Sequence, residues 1–133
     1  MILLKKCIID LYFRIYGKVT LSFISHQNNV EFIILDTKSL DIKNVYNNIG
    51  NQPLKFELLN EKPEDYPLGI PMKIYPPYPL AVDEKFTAII EFSTINSAAT
   101  QWLSKEQTLS KDYPFVYTQC EAIHCRTLFP CQV

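Results

Sequence analysis

Apolar and polar residues alternate with a period of two through most of this chain, which is the spacing of strands with one buried face. Residues 18–24 (KVTLSFI) set Val19, Leu21 and Phe23 against Lys18, Thr20 and Ser22. Residues 85–93 (KFTAIIEFS) place Phe86, Ala88, Ile90 and Phe92 on one face. The same alternation runs through residues 40–46 (LDIKNVY), 54–59 (LKFELL) and 72–76 (MKIYP). Residues 29–36 (NVEFIILD) instead form a continuous apolar run, the pattern of a strand covered on both sides. Between these segments lie turn formers: NNIGNQP at 47–53, EKPEDYPLGIP at 61–71 and PPYPLAVDE at 76–84. Most of the nine prolines fall there, where a missing N–H harms no ladder. Residues 104–112 (SKEQTLSKD) predict one helical turn capped by Ser104, with Gln107 closing a capping box. No longer segment has helical spacing. The expectation is an all-β chain, an antiparallel saddle-like double sheet or β-sandwich, in one domain spanning residues 1–133.

Composition narrows the function. Hydrophobic residues make up 47% of 133 positions, with eight Tyr, eight Phe and one Trp, enough for a real core. A charged fraction of 20% and a net charge of −1 exclude intrinsic disorder and give no basic surplus for nucleic acid. The paired Lys5 and Lys6 are too few for a polybasic membrane anchor, and no stretch reaches the roughly 18 apolar residues that span a bilayer. MILLKKCIID lacks the charge-then-apolar order of a signal peptide, so a cytoplasmic location is expected. Four cysteines (Cys7, Cys120, Cys125, Cys131) with no secretion signal read as reduced thiols rather than a disulfide framework.

Reactive groups crowd into YTQCEAIHCRTLFPCQV at residues 117–133. Cys120, His124, Cys125 and Cys131 are zinc-ligand types, but no C-x-x-C pairs them. An extended stretch sends Cys120 and His124 to one face and Cys125 to the other. A nucleophilic Cys with His124 or His26 as base needs facing groups and an environment that lowers the thiol pKa, whereas FVYTQC is an apolar strand that raises it. Asp112 is too far upstream to pair with Glu121, which reads as an exposed strand residue, a partner of Arg126, or a fixed carboxylate for a substrate ammonium group. Trp102 reads as a partly buried anchor beside a polar loop.

The order LDTKSLDIKNV, QWLSKEQT, then YPFVYTQCEAIHCRTLFPCQ resembles the N-terminal domain of the leukotriene A-4 hydrolase/aminopeptidase family, zinc enzymes of the gluzincin clan. The likeness runs from about Cys7 to Gln132, and Q-C-x-A-I-H-C-R-x-x-x-P-C-Q is its most specific part. The resemblance implies a β-saddle domain whose Q-x-x-A stretch forms one rim of a catalytic cleft, placing Gln119, Cys120, Glu121 and Ala122 beside the N-terminal part of a peptide substrate. The hydrolases usually carry Gln at the position of Glu121, whereas many aminopeptidases of the clan carry Glu, which helps bind the free α-amino group. The family's H-E-x-x-H helix and G-M-E-N stretch do not occur in these residues. The resemblance therefore implies a fragment, incomplete at both ends, with no catalytic residue, metal ligand or cofactor of its own. Zinc and the activated water belong to the complete enzyme. Implied partners are the peptide substrate and the missing catalytic domain, which the QCEAIHC strand would pack against. The rival expectations are a free-standing β-sandwich that binds a protein partner and, with less support, a small zinc module on the clustered cysteines.

Overall fold

In the computed structural model, which describes residues 2–9, 14–59 and 69–132, nine strands and two short 3-10 turns make up the regular structure. β1 (Ile2–Ile9), β2 (Ile15–Ile24), β7 (Lys85–Thr94) and β4 (Leu40–Asn47) form a four-stranded antiparallel sheet in the order β1-β2-β7-β4. β3 (Ile33–Thr37), β6 (Ile70–Ile74) and β5 (Phe56–Leu58) form a second antiparallel sheet in the order β3-β6-β5. β8 (Thr100–Leu103) and β9 (Phe115–Thr118) pair as a separate two-stranded ribbon. The all-β, antiparallel expectation holds.

The predicted alternation is what builds the core. Val19 and Leu21 of β2, Val45 of β4, and Phe86, Ala88, Ile90 and Phe92 of β7 are buried together with Leu35 of β3 and Met72 and Ile74 of β6. Two sheets with one apolar face each bury them against one another, since neither can leave that face in water. The outer face of the larger sheet is polar: Lys18 pairs with Glu91, which also accepts from Asn44 at 2.8 Å, and Ser22 meets Thr87 at 3.0 Å. At the 47–53 turn the Asn47 amide donates to the Gln52 carbonyl, with Gly50 and Asn51 both at positive φ. The Ser104 turn is also as expected: Lys105–Gln107 form one 3-10 turn, and the Ser104 amide donates to Gln107 Oε1 at 2.9 Å.

Two expectations are corrected. Residues 29–36 are not a strand covered on both sides. Pairing with β6 begins at Ile33; Leu35 and Thr37 are buried, whereas Phe32 and Ile34 are 39% and 45% exposed. Only one face of the three-stranded sheet meets the core, and the outward aromatic packs instead against Tyr75 and beneath the Lys73 ammonium. Nor is QCEAIHC a strand: β9 stops at Thr118, and the chain turns before a 3-10 segment at His124–Thr127. β1 was not anticipated as a strand. The 61–71 connection lies mostly outside the described residues, as do the side chain of Cys7 and all of Val133.

Candidate functional site

The stretch after β9 divides into an anchored base and an exposed crest. The base is residues 125–131. Phe129, Pro130 and Cys131 are buried in the core, and Cys131 bridges the free edge of β3: the Asp36 amide donates to its carbonyl at 2.7 Å, and its own amide donates to Asp36 O at 3.2 Å. The Lys38 amide donates to Arg126 O at 2.8 Å. Gly69 passes so close to this corner that a Cβ would stand 2.7 Å from Thr37 O and 3.3 Å from Arg126 Cδ, at a φ of +142°. The buried Arg126 donates through Nε to Ile123 O at 2.9 Å, closing the start of the 3-10 segment on itself.

Thr127 joins this base to the β8–β9 ribbon. Its hydroxyl donates to His124 O at 2.8 Å and accepts from the Ala99 amide at 3.1 Å, with Ser97 Oγ also 3.1 Å away. Ala99 in turn accepts from the Gln119 amide at 2.8 Å. A single buried hydroxyl thus connects the two ends of the crest.

The crest is residues 119–124. Gln119, Glu121, Ala122, Ile123 and His124 are exposed, and Cys120 is half-buried. Gln119 Oε1 accepts from the Glu121 amide at 3.1 Å, and the His124 amide donates to Cys120 O at 2.8 Å. The Glu121–Ala122 peptide is cis. Both bonds hold the backbone while leaving the Glu121 carboxylate directed at solvent on a fixed turn. Of the four residues read from the sequence, Gln119, Glu121 and Ala122 share this exposed surface, whereas the Cys120 thiol is turned inward toward Cys125.

Cys120 and Cys131 are not poised as catalytic nucleophiles. Burial first, then the neighbouring Cys125 thiol, pushes Cys120 up to about 12; burial and Cys125 push Cys131 up to about 11. At neutral pH both are protonated, and the thiolate is the reactive form. No group of three or more His, Cys, Asp or Glu among the described residues is arranged to hold a metal ion.

Sequence reasoning missed Thr127 and Ala99. Neither belongs to a reactive class, and no local pattern flags a hydroxyl whose partners lie in another element.

Comparison with known proteins supplies what the geometry alone does not. The family model for the peptidase M1 N-terminal domain matches residues 5–132. Leucine aminopeptidase 2 of Aspergillus fumigatus is 40% identical over 101 residues, covering 75% of this chain and 16% of that protein. Leukotriene A-4 hydrolase of Xenopus laevis is 35% identical over 121 residues, 89% of this chain and 19% of that protein. Among solved structures, yeast LTA4 hydrolase in complex with bestatin superposes with a TM-score of 0.75 at 34% identity, covering 91% of this chain and 18% of that one. An M1 zinc metallopeptidase from Deinococcus radiodurans shares the fold at a TM-score of 0.60 and 14% identity, over 90% of this chain and 25% of that one. The chain spans less than a fifth of the length of the curated relatives it matches.

Proposed function

This chain belongs to the peptidase M1 N-terminal domain family, and on that premise we propose that it is the scaffold and substrate-rim domain of a leukotriene A-4 hydrolase-like zinc aminopeptidase. The observation that carries the reading is the division of residues 119–131: an exposed crest bearing Glu121, held from below by a base sunk in the core. A rim must present a polar group at a fixed position, and loss of backbone freedom before binding lowers the entropy cost of capturing a ligand.

On this reading the Glu121 carboxylate receives the α-ammonium group of a peptide. A charge-assisted hydrogen bond is roughly twice as strong as a neutral one, so Glu at this position favours a free amino terminus over an uncharged substrate. Gln119 positions Glu121 through the bond from its Oε1 to the Glu121 amide, and Ala122 leaves the approach open. Cys120 contributes from beneath the crest rather than by touching substrate. Zinc, the activated water and the remaining cleft are assigned to the catalytic domain of the complete enzyme, and a cytoplasmic setting completes the proposal. By itself the 133-residue chain carries out no hydrolysis.

The test uses the complete polypeptide read from the native transcript. Glu121→Gln is expected to raise KM for an aminoacyl anilide about tenfold or more while changing kcat less, as removal of one charge-assisted bond predicts. An unchanged kcat/KM removes Glu121 from the rim.

A further inference from the structure

Residues 121–124 all face solvent, while Cys120 and Cys125 at either end of that turn are half-buried. The turn is closed by the His124 amide on Cys120 O, and the 3-10 segment that carries Cys125 begins at once, continuing through the Leu128 amide on Cys125 O at 2.8 Å. Both cysteines thus stand at the ends of one short turn closed by a backbone hydrogen bond, both half-buried and both reduced, with the Cys125 thiol close enough to raise the pKa of Cys120. This differs from the extended geometry, in which they would diverge.

We propose that Cys120 and Cys125 are a modification site: a dithiol that a low-molecular-weight disulfide such as oxidised glutathione converts to an intrachain disulfide, clamping the crest. One cysteine, as thiolate, attacks a sulfur of oxidised glutathione and expels one glutathione thiolate. The other then attacks the protein-bound sulfur of the mixed disulfide and expels the second. Two S–H bonds are replaced by one S–S bond, the two protons pass to the two glutathione thiolates, and the oxidant is reduced to two thiols. Cys131, 4% exposed and with its backbone tied to Asp36 in both directions, is closed to a disulfide arriving from solvent. Burial of Cys120 keeps its thiolate scarce at neutral pH, so the clamp closes slowly. The inference rests on this local geometry and does not require the rim reading.

Trypsin makes the test direct, because cleavage after Lys111 and Arg126 releases residues 112–126 with these two cysteines and no other. The folded chain is equilibrated with excess oxidised over reduced glutathione, alkylated and digested, and the peptide is weighed. The expected peptide is lighter by two hydrogen atoms, unalkylated, and equally abundant in Cys131→Ser. Repeating the equilibration in denaturant should lower its yield several-fold, since the fold no longer holds the thiols together. Cys125→Ser should abolish it, leaving Cys120 alkylated or glutathionylated. Recovery of the folded wild-type peptide with two alkylated or glutathionylated cysteines overturns the proposal. So does a disulfide from either cysteine to Cys7 or Cys131, or an equal yield in denaturant.

Discussion

Two buried threonines at the same corner of the molecule should respond in opposite ways to the same substitution. Thr127 is 3% exposed and its hydroxyl serves Ala99, His124 and Ser97. Thr100 is 8% exposed, and among the described residues its Oγ1 is the buried side-chain oxygen without a hydrogen-bond partner. Valine matches threonine in shape and lacks the hydroxyl. In Thr127→Val the amide of Ala99, at 0% exposure, loses its acceptor, a penalty of about 1–3 kcal/mol, and the bond to His124 O removes about 1 kcal/mol more. The expected loss is about 2–4 kcal/mol, or about 10 °C in melting temperature for a domain of this size. Thr100→Val removes a hydroxyl already buried without compensation and should be neutral or stabilising by about 1 kcal/mol. Urea unfolding followed by Trp102, the single tryptophan and a member of β8, measures both. The midpoint should move with the slope unchanged. Hydrogen exchange adds a local readout: the Gln119 amide, bonded to Ala99 O, should exchange faster in Thr127→Val. Thr127→Val within about 0.5 kcal/mol of the parent, or equal losses in the two variants, would refute the account of the crest as hung from one hydroxyl.

Other substitutions probe the remaining links. Glu121→Gln in the 133-residue chain should leave stability within about 0.5 kcal/mol, because the side chain is exposed; a loss of several kcal/mol in a chemical melt would show a buried structural partner and sink the rim assignment. Gly69→Ala should cost about 3 kcal/mol or more by the same assay, since φ is +142° and the new Cβ meets backbone at 2.7 Å; an unchanged midpoint would contradict that close approach. The hydrogen bonds from Lys18 and then Asn44 hold the Glu91 carboxyl below the usual carboxylate range. Its contribution to stability is therefore present above the unfolded pKa near 4.3 and lost as pH falls through the lower folded value, so Glu91→Gln should flatten that part of an acid titration of stability. Cys120 and Cys131 have the opposite sign: folded values of about 12 and 11 lie above the ordinary 9.0, so stability should decline as pH rises from about 9 toward 11. Cys131→Ser should show a shallower alkaline decline in the same melts, and identical slopes would show that its thiol is not buried as described.

The all-β class, most strand positions, the Ser104 turn and the family resemblance could be read directly from residue order. Strand alternation is local, because successive side chains on an extended backbone must point to opposite faces. The Q-C-x-A-I-H-C-R segment is equally local, a contiguous run whose identity survives without coordinates.

Tertiary structure decided which face of an apolar run meets a neighbour and where a strand ends. Residues 29–36 read as apolar throughout, but a three-stranded sheet with one covered face leaves Phe32 and Ile34 outside and turns Leu35 inward. Residues 119–125 carry no glycine or proline to announce a turn, yet the chain leaves the strand there. Its next backbone groups find partners at Ala99, Cys120 and Cys125, and beyond them at Asp36 and Lys38. The bonds at Ala99, Asp36 and Lys38 join segments far apart in the chain, and every buried amide must find such a partner wherever the fold supplies one. That requirement places Glu121 on a fixed crest and sets Cys120 beside Cys125. The residues were visible in the sequence, whereas their arrangement was settled by hydrogen bonds that no local pattern records.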